Sequence, residues 1–235
     1  MNVYVLNLDS AKDRWKAYED KGWNRWKATH YDDLGDDHPI FDEMVSMWNI
    51  PPKEHLAKCG CYMTHISLWK HIIEKDLKNV LVLEDDAHQI ADLPNPEDLP
   101  QGQDLTYLGG ITYHNRLTDG PKPMEFKEGI NEIIPAEFRM IMLMSYFIPN
   151  RRVALKLLQC ATERGRPRAI DTMIKDAWVS QYLYYPAVFV EKPIQSQIRD
   201  KKSKFSNQYY HSVTRKQALS QIKNISDKKI LNDSV

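Results

Sequence analysis

The chain has 235 residues, which at about 150 per domain means one large domain or two small ones. A chain of this size buries enough surface to fold without a disulfide or metal staple. Its 32 Lys+Arg balance its 32 Asp+Glu, which argues against a general nucleic-acid binder, and 9 Gly with 13 Pro exclude collagen-like and flexible low-complexity readings.

Three cysteines, Cys59, Cys61 and Cys160, cannot build a disulfide framework and suit a reducing compartment. The opening MNVYVLNLDSAKDRW has no basic stretch leading into an apolar one, so no signal peptide is expected. The longest nearly apolar run, Met140 to Ile148, is interrupted by Ser145 and is far shorter than the about 20 residues a bilayer core needs. The expectation is a soluble, cytoplasmic protein.

Val3 to Leu8 (VYVLNL) is β-branched and aromatic and reads as a strand. Ser10 can cap a helix running to about Asp20. Trp23 to His30 is a weaker strand, and Asp32 to Pro39 is acidic and turn-rich. Phe41 to Trp48 reads as a short helix stopped before Pro51-Pro52. Tyr62 to Lys75 is a helix on which His65 shares a face with Trp69 and Ile72. Asn79 to Leu83 (NVLVL) is continuously apolar, as in a strand covered on both faces.

Leu105 to Leu108 reads as a strand ending at Gly109-Gly110, and Glu125 to Phe147 holds two or three more. Arg151 to Arg164 is an amphipathic helix with Gly165 after it as a C-terminal cap. Asp171 can cap a helix to about Trp178, and Tyr182 to Val190 is a last strand. This order predicts an α/β fold with a mainly parallel central sheet, flanking helices and a smaller antiparallel part. Residues 1–198 form the expected domain. Residues 199–235 are a partly helical tail, with a net +7 between Arg199 and Lys229.

Chemistry concentrates at Glu84-Asp85-Asp86, directly after VLVL. Ligands in open α/β sheets bind beyond the carboxyl ends of strands. Three adjacent carboxylates repel one another unless a cation neutralises them. Oxygen donors there suit Mn²⁺ or Mg²⁺, which also hold a diphosphate. The plain alternative is a solvated acidic turn. Cys59-Gly60-Cys61 lacks a second Cys/His pair at zinc spacing, so it reads as small buried residues near a helix start. His65 on an apolar face is a core histidine or, one helix before the acidic strand, a site residue. Tyr107, Tyr113 and Tyr146 are candidates to stack on a base or sugar, against the ordinary reading of core aromatics.

Four blocks in order carry a family resemblance: VYVLNLDSAKDRW, GCYMTHISLWKHI, NVLVLEDDA, and YFIPNRRVALKLL followed by Ile170-Asp171 and VFVEKPIQSQI. Together they resemble glycosyltransferase family 25, which includes bacterial lipooligosaccharide galactosyltransferases and collagen galactosyltransferase domains. Thr64 stands where the family usually has Ser, and Gln197 where it often has Asp.

The resemblance implies a GT-A type nucleotide-sugar fold and a UDP-sugar donor, Mn²⁺ (or Mg²⁺), and a glycan or glycoconjugate acceptor, with no nucleic-acid partner. It implies transfer of galactose or a similar hexose with inversion. By carry-over, Asn7, Leu8, Arg14, Thr64, His65 and Asp85 bind the donor, while Glu84 and Asp86 hold the metal. A late histidine, His211, is a further candidate ligand, and Asp171 is the candidate base, with Asp176 and Glu137 as runners-up. The basic tail is a candidate for peripheral contact with an anionic membrane. Two other classes compete. A nucleotidyltransferase or phosphoesterase would want a glycine-rich phosphate loop, which LDSAKDR is not. A non-catalytic nucleotide-sugar-binding module is at odds with the intact acidic triplet.

Overall fold

The computed structural model describes residues 1–34, 52–114, 126–134, 138–163 and 169–191. The expected helix at 41–48, Gly165, Arg166, Arg168, Glu137, Gln197, His211 and the tail lie outside them, and so does the 198/199 boundary.

In chain order the elements are β1 (Asn2–Asn7), α1 (Lys12–Trp15), β2 (Asn24–Lys27), α2 (Pro52–Glu74), β3 (Val80–Glu84) and β4 (Ala87–Gln89). Then come β5 (Asp104–His114), β6 (Gly129–Ile133), β7 (Phe138–Ile148), α3 (Arg151–Glu163), α4 (Ile170–Lys175), β8 (Ser180–Tyr185) and β9 (Phe189–Glu191). The strands make one sheet in the order β2-β1-β3-β7-β5-β8-β6, with β4 paired to β9 and β9 also to β5.

The α/β expectation holds, but the sheet is mixed rather than mainly parallel. The β1/β2, β1/β3, β5/β8 and β5/β9 pairs are parallel. The β3/β7, β5/β7, β6/β8 and β4/β9 pairs are antiparallel. Placing β7 between β3 and β5 turns the sheet antiparallel at its middle, where sequence order alone suggested a continuing parallel crossover.

Both faces of the centre are apolar, which is why β3 reads as an unbroken hydrophobic run. On one face α2, α3 and α4 pack over Leu6, Val82, Leu105, Tyr107 and Tyr146. Trp69 and Ile72 of α2 and Leu157 of α3 are fully buried there. On the other face Val5, Leu81, Leu83, Leu108, Phe147 and Phe189 form a second cluster, closed by Tyr18 and Leu99. Each fully buried large aliphatic side chain contributes about 1.5–3 kcal/mol. The α3 face follows helical spacing, with Val153, Ala154, Leu157 and Cys160 inward.

Several boundaries differ from the sequence reading. Ala11, not Ser10, precedes α1, which is a single turn. The chain then makes a short 3₁₀ turn at Glu19–Lys21 before Gly22, whose φ of 66° suits glycine. Helix α2 starts ten residues before Tyr62, with Pro52 as its first residue, where a missing N–H costs nothing. Strand β5 passes straight through Gly109-Gly110. A Cβ at Gly109 would collide with the backbone carbonyl of Phe189, so this glycine marks a close approach of β9, not a strand end. The last expected strand divides into β8 and β9. The N-cap of α4 is Ala169, which places Asp171 inside the first turn rather than at the cap.

Candidate active site

The parallel register places the site. Leu6 on β1 lies beside Glu84 on β3. One residue further along each strand, Asn7 and Asp85 emerge together at the carboxyl edge. Asn7 is fully buried. Its Nδ2 donates to Asp85 Oδ2 at 2.8 Å and to the Ala11 carbonyl at 3.0 Å. Arg14, from the turn of α1, donates through Nη1 to Asp85 Oδ1 at 2.7 Å. Both oxygens of Asp85 are therefore engaged.

Arg25 of β2 completes this side. Its Nε donates to Asn7 Oδ1 at 2.8 Å and its Nη2 to the Leu8 carbonyl at 3.1 Å. Arg25 and Lys27 also face Asp9, at 3.2 and 3.1 Å. The Lys27 hydrogen bond is the main reason the Asp9 carboxyl lies below its ordinary range. Arg25 was not foreseen. The available signal was two cations in a weak strand next to an acidic loop.

Glu84 faces the other way, over the helical side of the sheet. His65 lies beneath it, with Nε2 3.7 Å from Glu84 Oε1. Burial pushes the His65 pKa down to about 3, so the ring is neutral. Its Nδ1 is 2.8 Å from the Tyr146 hydroxyl, which in turn lies 3.0 Å from Trp69 Nε1. Cys61, one helical turn before His65, brings its sulfur within 4.8 Å of the His65 and Glu84 ligand atoms. Sequence spacing alone gave no zinc site at Cys59-Gly60-Cys61, and Cys59 is buried in the core.

Gly60 and Thr64 fix the height of α2. A Cβ at Gly60 would come 2.5 Å from the Thr29 carbonyl oxygen. Thr64 Oγ1 donates to the Gly60 carbonyl at 2.7 Å and accepts from the Thr29 N–H at 2.8 Å. Thr64 and His65 thus flank the site from within the helix.

Asp86 is the second residue of the short turn from β3 into β4. Tyr18 is pushed up above the ordinary phenol range first by burial, then by the charges of Asp86 and Asp85. Its hydroxyl donates to the Ala87 carbonyl at 2.6 Å. The Cys61 thiol is pushed up by burial, then by Glu84, Asp171 and Asp86. Asp171 comes from α4, far away in sequence from the triplet. Asp171 Oδ1 accepts from the Thr172 N–H at 2.7 Å. Helix α4 is held by Gln181, whose Nε2 donates to the Ile174 and Lys175 carbonyls at 3.0 and 2.9 Å. Gln181 Oε1 accepts the Tyr107 hydroxyl at 2.9 Å.

Tyr107 and Tyr146 are therefore not stacking platforms. Each is 1% exposed, and both hydroxyls are engaged inside the core. The side chain of Tyr113 lies outside the described residues.

Residues 1–93 match the family model of glycosyltransferase family 25 (LPS biosynthesis protein). The match covers the first 93 of the 235 residues, and over that stretch the chain is similar to a family of glycosyltransferases, a class that in general uses a nucleotide-sugar donor and a glycan acceptor. The matched stretch contains Asn7, Arg14, His65 and the acidic triplet, and ends before Asp171. No curated protein matches the chain. Among the described residues, no helix is long and apolar enough to cross a membrane.

Proposed function

We propose that this chain is a metal-dependent, inverting glycosyltransferase of GT-A type. It moves galactose or a similar hexose from a UDP-sugar to a hydroxyl of a glycan or glycoconjugate in the cytoplasm. One observation carries the reading. Glu84, Asp85 and Asp86 leave the carboxyl end of a buried strand, where Arg14 and Asn7 neutralise Asp85. The carboxylates of Glu84 and Asp86 beside it are hard oxygen donors, a set that Mn²⁺ or Mg²⁺ favours. A divalent ion there supplies positive charge against the diphosphate as it leaves.

The remaining roles belong to the chain. Asn7, Leu8 and Arg14 shape the nucleotide side at the end of β1. The Arg14 guanidinium is a planar fork of N–H groups, a shape that suits phosphate oxygens. Asp171 takes the proton from the acceptor hydroxyl as that oxygen attacks the anomeric carbon. It lies on α4, a different segment from the triplet, and inversion calls for a base from a segment other than the one holding the diphosphate. His211 as a further metal ligand, and contact of the basic tail with anionic membranes, belong to the same reading.

Calorimetry of UDP binding with and without Mn²⁺ tests it. Wild type should bind UDP only with the metal, and Asp86→Ala should abolish that binding. Unchanged binding in Asp86→Ala would overturn the metal assignment. A panel of UDP- and GDP-sugars, read by donor hydrolysis, should show turnover of a UDP-hexose. Metal-dependent binding with no turnover of any donor would make the protein a binding module instead.

A further inference from the structure

Beneath Glu84 the core contains a short chain of polar groups. His65 has a side chain 1% exposed, and its Nε2 has no hydrogen-bond partner among the described residues. Its Nδ1 meets the Tyr146 hydroxyl at 2.8 Å, and that hydroxyl meets Trp69 Nε1 at 3.0 Å. An indole N–H only donates. The Tyr146 oxygen therefore accepts from Trp69 and gives its own proton to His65 Nδ1. The opposite arrangement, with Nδ1–H donating, would leave the phenolic proton of a 1% exposed tyrosine without an acceptor. An imidazole that accepts at Nδ1 has its one proton on Nε2. The nearest acidic oxygen to that proton is Glu84 Oε1, 3.7 Å from the nitrogen.

We propose that His65 is a positioning residue for the acidic end of β3: Trp69 and Tyr146 fix its proton on Nε2, and that N–H orients the Glu84 carboxylate toward the metal–diphosphate site. The role rests on the reading of Glu84 as a ligand. At 3.7 Å the contact is longer than a hydrogen bond, and the role requires the carboxylate to turn toward Nε2 on metal binding. One Glu84 oxygen is then held from below and the other is turned to the site. Carboxylates that bind metals are themselves usually hydrogen-bonded, and removing such outer partners typically costs 10–100-fold in metal affinity.

Cys61 Sγ, His65 Nε2 and Glu84 also cluster within 4.8 Å of one another, a set that would suit zinc. Zinc there would need Nε2 bare and the proton on Nδ1, which is the arrangement that strands the Tyr146 hydroxyl.

The test has two independent arms. In the first, long-range ¹H–¹⁵N spectra of ligand-free wild type should show His65 with its proton on Nε2, and Glu84→Gln should shift that resonance. In the second, UDP–Mn²⁺ affinity is measured for folded His65→Ala, His65→Gln and Tyr146→Phe, with circular dichroism confirming the fold. Affinity should fall about 10–100-fold in His65→Ala. His65→Gln, whose amide places an N–H near the Nε2 position, should recover most of the loss, and Tyr146→Phe should fall in between.

A proton on Nδ1 overturns the positioning role whatever UDP does. So does wild-type affinity in a folded His65→Ala, failure of His65→Gln to recover more than His65→Ala, or one zinc per purified chain that is lost in Cys61→Ser. If His65→Ala does not fold, Tyr146→Phe and the spectra decide. Wild type that binds no UDP with Mn²⁺ overturns the proposed function and the role that rests on it, while an Nε2 proton would still confirm the tautomer.

Discussion

The two sides of the β3 terminus solve the same problem with opposite chemistry. On the Asp85 side the carboxylate is answered by charge: Arg14 and Asn7 occupy its two oxygens, and Arg25 secures Asn7 in turn. On the Glu84 side the described contact is a buried neutral imidazole, itself tied to a phenol and an indole. Opposite charge fixes a carboxylate and quenches its field, whereas neutral donors orient it and leave its charge available. Consecutive residues of the triplet thus meet different surroundings: a cation and an amide at Asp85, a buried imidazole at Glu84.

The largest effect that would sharpen the contrast is catalytic. Asp171→Asn keeps the side chain's shape and removes the base. Transfer should fall about 10²–10⁴-fold, with UDP–Mn²⁺ binding retained. Rates for Asp171→Asn and Asp176→Asn, side by side, check the assignment. Full activity in the first, or a loss only in the second, would show that the base lies elsewhere.

Next comes the charged side. Arg14 and Asp85 have side chains only 15% and 11% exposed. Removing the cation leaves a mostly buried carboxylate with only the Asn7 amide to answer it, so Arg14→Ala should lower unfolding stability by about 3 kcal/mol, the low end for buried pairs. Urea denaturation measures this. A loss no larger than that of an exposed ion pair would mean that the two sides are not chemically distinct.

A smaller effect separates the neutral side by pH. Unfolded imidazole titrates near pH 6.5, whereas His65 in the fold does so only at about 3. As pH falls, the unfolded chain takes the proton first. The neutral ring's contribution is thus full above about pH 6.5 and is lost progressively toward pH 3, at up to about 1.4 kcal/mol per pH unit. Wild type and His65→Gln compared by denaturation between pH 7 and 4 should differ by that slope. Parallel curves would show that His65 titrates normally in the fold.

The mildest prediction concerns thiol reactivity. Burial pushes Cys59 up to about 11, and burial with the neighbouring carboxylates pushes Cys61 up as well. The thiolate is the reactive form, so at pH 8 both should alkylate far more slowly in the fold than in urea. Peptide mass mapping after iodoacetamide reads this directly. Fast labelling of Cys61 would mean that its thiol is less buried in the fold than described.

The parts of the fold legible in the sequence were those where one pattern has one meaning. The unbroken apolar run of β3 means burial on both faces, and the acidic triplet after it marks the strand's carboxyl end. Elsewhere a residue type serves two ends. Gly109 looks like a stop, but is there because β9 passes too close for a side chain. Tyr146 looks like a ligand platform, but spends its hydroxyl inside the core. The mixed sheet was hidden because nothing local tells β7 to insert antiparallel beside β3. Arg25 was hidden because its partners Asn7 and Leu8 lie across a strand pair, visible only once the register is known.

The pairing of β4 with β9 has a consequence for the acidic triplet. Strand β3 ends at Glu84 and β4 begins at Ala87, so Asp85 and Asp86 form a two-residue bridge between paired segments. Beyond β4, the β9 strand is seated against β5 where Gly109 leaves room. Few backbone torsions between these anchors remain to be frozen when a ligand arrives. The ordering entropy that a floppy acidic loop would surrender at each encounter is here already spent in folding. Lengthening this bridge, with every carboxylate kept, would weaken capture through disorder alone.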